Sequence, residues 1–159
     1  MKKEAIRDFT VRVTQASQSE LTVILYEMIL AEIKDAKEAY EAGDLEAFDK
    51  ELKRAQKFVT ELQSSLDFQY QISYDLMSLY LFVNKRIITA IIRREPSTLD
   101  SAESIMKKLL VGFEGVSRAD KRGPVMRNTQ QLYAGLTYGR GYLNETYIDP
   151  SDKNRGFIA

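Results

Sequence analysis

Residues 45–66 read LEAFDKELKRAQKFVTELQSSL, and their spacing decides the fold. Leu45, Phe48, Leu52, Ala55, Val59, Leu62 and Leu66 follow one another at intervals of three or four residues. That is the period of one face of an α-helix. Glu46, Asp49, Lys50, Glu51, Lys53, Arg54, Lys57 and Glu61 occupy positions between them. A helix divided in this way buries one stripe and leaves the rest in water, so it needs other helices to pack against.

The same pattern extends in both directions. Upstream, Asp44 is a good N-cap for this helix, and Gly43 suits the left-handed end of the one before it. That earlier helix is predicted from about residue 18 to Ala42, with Leu21, Leu25, Ile29, Ile33, Ala36 and Tyr40 on its stripe. Ser17 and Glu20 have the spacing of a capping box at its start. Downstream, residues 67–72 break the period, and a further helix is predicted from Ser73 to Glu95 with Leu76, Leu79 or Tyr80, Val83, Ile87, Ala90 and Ile91. Pro96 disfavours helix in the residue before it. Ser97 and Asp100 resemble a second capping box, opening a helix to about Arg118 with Leu99, Ala102, Ile105 or Met106, Leu109, Phe113 and Val116 inward.

Four helices of about 20 residues, each roughly 30 Å long, are thus joined by short turns. Short connections make neighbours antiparallel, so the expected fold is all-α, an antiparallel four-helix bundle over residues 1–118. Residues 1–16 form a short N-terminal segment with two readings. Ile6, Phe9 and Val13 fit a helical stripe, while Thr10 to Thr14 could form a strand. Residues 119–159 hold five of the eight Gly, two of the three Pro and four of the nine Tyr, and read as an irregular C-terminal tail.

Composition narrows the chemistry. Lys plus Arg is 23 and Asp plus Glu is 23, so the chain lacks the basic excess that nucleic-acid binding draws on. There is no Cys and no His, which removes thiolate and imidazole metal ligands and the commonest general base. No phosphate loop or nucleophile elbow occurs. No catalytic residue, cofactor or metal is expected. Lys2 and Lys3 are followed by Glu4, Arg7 and Asp8 rather than an apolar run, so a cytoplasmic location without membrane insertion is expected.

Apolar side chains are in excess. Ten of the thirteen residues from Leu21 to Ile33 are apolar, and twelve of the seventeen from Leu76 to Ile92, against nine of twenty-two in residues 45–66. Each of the first two helices has enough for a second stripe. One carries Val23, Tyr26 and Leu30, and the other includes Tyr80 and Ile91. Three covers fit such stripes: the chain's own ends, a second copy in a homodimer, or a separate partner, since large apolar patches seldom stay bare.

Several short stretches resemble the flagellin-specific export chaperones of the FliS family. Val13-Thr14-Gln15-Ala16-Ser17, Glu20-Leu21-Thr22 and Leu25-Tyr26-Glu27 are similar to that family's opening. Ala36-Lys37-Glu38-Ala39, Gly43-Asp44 and Glu61-Leu62-Gln63-Ser64-Ser65-Leu66-Asp67 are similar to its middle, and Leu79-Tyr80, Asn84-Lys85-Arg86 and Ala90 to its later helix. The resemblance covers roughly residues 9–118. It departs from the family at Gln18 and Met28, where Pro and Gly are usual, and at Phe113, where many relatives have Trp. It implies a cytosolic chaperone that binds the C-terminal helical segment of flagellin, prevents premature polymerisation and delivers it to the flagellar export apparatus. With the second stripes, it places the expected partner-binding residues at Val23, Tyr26, Glu27, Leu30, Leu79, Tyr80, Val83, Asn84 and Ile87.

Overall fold

The computed structural model describes residues 1–119 together with Gly123 and Pro124. Among these residues the regular structure is entirely helical: α1 (Lys3–Gln15), α2 (Gln18–Glu41), α3 (Leu45–Ser64), α4 (Gln71–Arg93) and α5 (Leu99–Ala119). The expected irregular tail lies almost wholly outside the described residues.

Caps set the helix ends. The Ser17 side chain accepts from the Glu20 N–H and the Glu20 carboxylate accepts from the Ser17 N–H, so the predicted capping box is formed. Asp44 caps α3 by accepting from the Ala47 N–H at 2.9 Å. Between α2 and α3 the Asp44 N–H donates to the Ala39 carbonyl and the Gly43 N–H to Tyr40, with Gly43 at φ 76°. That pair of bonds is a Schellman ending, and glycine takes its left-handed residue without steric cost. The end of α4 repeats the motif with a different residue. The Glu95 N–H donates to Ala90 and the Arg94 N–H to Ile91, and Arg94 adopts φ 53°. The helix therefore ends in its own cap at Arg93, ahead of the Pro96 stop expected from sequence.

Three local expectations change. Residues 3–15 are helix and not strand. Helix α4 begins at Gln71, before the predicted Ser73, because the Asp67 carboxylate and carbonyl accept from the Gln69 and Tyr70 N–H groups and fold the chain into a turn that leads into it. Ser97 does not box with Asp100. Its hydroxyl turns back to the Glu95 carboxylate, while the Thr98 hydroxyl donates to the Arg86 carbonyl at 2.7 Å, and α5 starts only at Leu99.

Packing runs in a closed circuit. Helix α2 lies against α3 and α5, α4 also lies against α3 and α5, and α1 lies on α2. The interior is filled by Ile29, Ile33, Phe48, Leu52, Val59, Leu62, Leu99 and Met106, with Tyr26, Tyr80, Val83 and Ile87 among them. Each such side chain contributes roughly 1.5–3 kcal/mol by leaving water. The periodic stripe of residues 45–66 is the inner face of α3 from Phe48 to Leu62, and Phe58 widens it. Leu45 at its start and Val116 near the end of α5 are exposed, since both lie at helix ends beyond the packed centre.

Candidate functional site

Helices α2 and α4 carry the apolar excess, and the core absorbs much of it. The Tyr26 side chain is 0% exposed and Tyr80 is 1% exposed. Their hydroxyls are 2.6 Å apart and share a hydrogen bond across the interior. The rings are tilted with centroids 6.2 Å apart, and Phe113 meets Tyr26 edge-on at 5.5 Å. Burial pushes both phenol groups up from their ordinary value, so each stays protonated and able to donate.

The expected second stripes are therefore not an open groove in this structure. Val23, Tyr26, Tyr80, Val83 and Ile87 are all buried. Two helices with apolar residues on two sides can satisfy both by each packing on two neighbours, as α2 and α4 do. Glu27, Leu30, Leu79 and Asn84 are only partly buried. These four are the members of the expected set that reach the surface. The Asn84 Oδ1 atom is buried and has no hydrogen-bond partner among the described residues, an unmet acceptor of the kind native interiors keep rare.

Helix α1 is the cover that sequence could not assign. Phe9, Val13 and Ala16 turn inward. Arg12 pairs with Glu27 at 2.5 Å and its guanidinium stands 5.7 Å from the centre of the Phe9 ring. At the other end the Met1 amino group pairs with Glu32 at 3.4 Å, Asp35 at 3.2 Å and Glu51 at 2.6 Å. Contacts near Glu27 and near Asp35 mean that α1 runs back along α2, antiparallel to it.

Under that contact lies a buried ionic cluster. Glu32 is fully buried in the α2–α3 interface, with Arg54 at 3.3 Å on one oxygen and Met1 on the other. Burial raises its pKa to about 8, helped by a hydrogen bond with Glu51, while Arg54 and the amino group pull the other way. Glu51 shifts down despite its own burial, because it accepts from Glu32 and from the amino group. One proton shared by Glu32 and Glu51 leaves that pair with a single negative charge, and Asp35 on the amino group supplies the second, so the two cations are balanced, as a buried site requires. The motif that could have revealed it is Glu51-x-x-Arg54, whose members lie one helical turn apart, but nothing local marks Glu32 as their partner.

No group of Asp, Glu, His or Cys among the described residues is arranged to hold a metal ion. No described helix is long and apolar enough to cross a membrane. The chain matches the family model described as flagellar protein FliS over residues 1–120. It is also similar to the flagellar secretion chaperone FliS of Bacillus subtilis (strain 168), at 30% identity over 91 residues, which is 57% of this chain and 68% of that protein.

Proposed function

We infer that this chain, which belongs to the FliS family of flagellar proteins, is a flagellar export chaperone working in the cytoplasm. Its client is the C-terminal helical segment of flagellin. Holding that segment keeps flagellin from polymerising early and presents it to the export apparatus. The five helices form an antiparallel four-helix bundle, α2 to α5, with α1 laid on the outside.

One observation carries this reading: an amphipathic helix of the chain, α1, already lies on α2 beside the motif Leu25-Tyr26-Glu27. A face that takes its own helix has the shape and apolar character to take another. Leu30 and Leu79 supply accessible apolar contacts, and Glu27 and Asn84 supply polar ones. Tyr26, Tyr80, Val83 and Ile87 are the packed floor, and direct contact with the client requires the helices to part. Folding of the client on binding costs part of the gross interaction energy.

The test is calorimetric titration of the full chain with a flagellin C-terminal segment. Binding that weakens severalfold in Leu30→Asp and Leu79→Asp, with helical content retained, supports the reading. Absence of binding refutes it. A tight dimer indifferent to flagellin would favour a homodimeric adaptor bundle instead.

A further inference from the structure

The outward face of α4 has a feature that the proposed client site does not use. Tyr74 is 53% exposed, Leu81 55%, Phe82 38% and Ile92 76%. On a helix of 3.6 residues per turn, Tyr74, Leu81, Lys85 and Ile92 fall on one line, and Phe82 lies about 80° round from it, on the edge that also carries Arg93. The line from Tyr74 to Ile92 is about 27 Å long at 1.5 Å per residue.

The charges on this stretch are mostly of one sign, with Asp75 beside Tyr74 the exception. From Leu76 to Arg94 the only ionisable side chains besides Tyr80 are Lys85, Arg86, Arg93 and Arg94, all cations. Some charges elsewhere on the described surface are paired, as in Lys37 with Asp100 and Lys53 with Asp49, and others, such as Lys50 and Lys108, are not. None of these four cations makes an ion pair among the described residues. The Arg86 guanidinium instead stands 5.1 Å from the centre of the Phe82 ring, and its Nε atom is buried without a hydrogen-bond partner among the described residues. An apolar line with Lys85 on it and Arg86 and Arg93 along one edge, none of them ion-paired among the described residues, is the complement of a helix with a leucine-type stripe flanked by carboxylates.

We propose that the outer face of α4 is a second docking surface, taking an acidic amphipathic helix from another protein along the Tyr74–Ile92 line with its carboxylates against Lys85 and Arg93. The surface is independent of the flagellin reading, since none of its residues belongs to that site. Helix geometry favours a protein partner over an anionic membrane. The apolar residues follow a single narrow line rather than a broad face, and Lys85 lies on the line itself, where a carboxylate can meet it but lipid chains cannot.

The experiment titrates the full chain with a fluorescently labelled 21-residue model helix carrying a leucine stripe flanked by Glu, and with its counterpart in which every Glu is Lys. Saturable binding of the Glu helix, at least about tenfold tighter than the Lys helix and falling as salt rises, is expected. Lys85→Glu with Arg93→Glu should reverse that preference, and Leu81→Ser should weaken binding of either helix. All three positions are exposed, so the fold stays intact by circular dichroism. Equal binding of both helices, or none, overturns the proposal. Binding to phosphatidylglycerol vesicles in place of the Glu helix overturns it in favour of a membrane. Self-association abolished by Leu81→Ser overturns it in favour of a second copy.

Discussion

The Tyr26 and Tyr80 hydroxyls, 2.6 Å apart, form a hydrogen bond that joins α2 to α4 through the middle of the core. Neither group has access to water. Each hydroxyl is therefore the other's remedy for desolvation, and the pair fixes how α2 and α4 face each other.

That reciprocity predicts a non-additive pair of substitutions. Tyr26→Phe or Tyr80→Phe alone leaves one buried hydroxyl unpaired and should cost about 1–3 kcal/mol. The double variant removes both polar groups and should recover much of that loss. Urea unfolding of the four proteins measures it. Strict additivity would mean that the two hydroxyls do not depend on each other.

Glu32 makes stability depend on pH. Its pKa rises from an ordinary 4.5 to about 8 in the folded protein. Between those values the folded state holds a proton that the unfolded chain has released, so stability is full below the lower value and falls as pH rises toward 8. The Met1 amino group, raised above its ordinary 8.0, adds loss in the same direction at higher pH. Glu51 is shifted down and works oppositely, but only at acid pH. A decline on the order of 1 kcal/mol per pH unit is expected between pH 5 and 8, and Glu32→Gln should flatten it. Thermal melts across that range decide the point.

Arg94 holds a backbone conformation that suits glycine. The two endings of α2 and α4 have the same hydrogen bonds, yet one places Gly43 and the other Arg94 in the left-handed region. Arg94→Gly should relieve steric cost and raise stability by roughly 0.5–1 kcal/mol. Gly43→Ala should lower it by about as much, although a Cβ there meets nothing within 4 Å, because the strain is in φ alone. Melting temperatures of the two single variants test the sign of each.

Residues 45–66 were legible because one amphipathic stripe has one reading, and Phe48, Leu52, Ala55, Val59 and Leu62 are all buried. Gly43, Asp44 and Ser17 were legible because caps are local chemistry. The burial of Tyr26 and Tyr80 was not legible, for the opposite reason. In a helix apolar on two sides, periodicity cannot say whether the second side meets a neighbour of the same fold or another protein. Residues 1–16 were ambiguous because their hydrogen bonds are decided by docking on α2, which is a tertiary contact. Glu32 gave no sign for the same reason: its partners Arg54 and Glu51 belong to α3. Of the chain's own ends, named as one of three covers for the second stripes, the C-terminal one lies almost wholly outside the described residues.

Arg12 offers the sharpest test of whether α1 and the flagellin segment compete. Its ion pair with Glu27 is partly exposed, so it contributes little to overall stability. Its position matters more, because it is the charged contact between the C-terminal half of α1 and α2. Arg12→Glu replaces that attraction with repulsion and should loosen α1 without disturbing α2 to α5. If α1 occupies the client's place, the face is available only in molecules whose α1 has lifted, and apparent affinity is reduced by that fraction. Loosening α1 should then tighten binding of the flagellin C-terminal segment severalfold while circular dichroism changes little. The complementary Glu27→Arg, combined with Arg12→Glu, should dock α1 again by rebuilding the pair with its charges exchanged. Because Glu27 is itself placed among the client contacts, this is read as restored protection of the α1 amides from hydrogen exchange. Weaker binding in Arg12→Glu would instead place α1 among the client's contacts, as part of the site and not its cover.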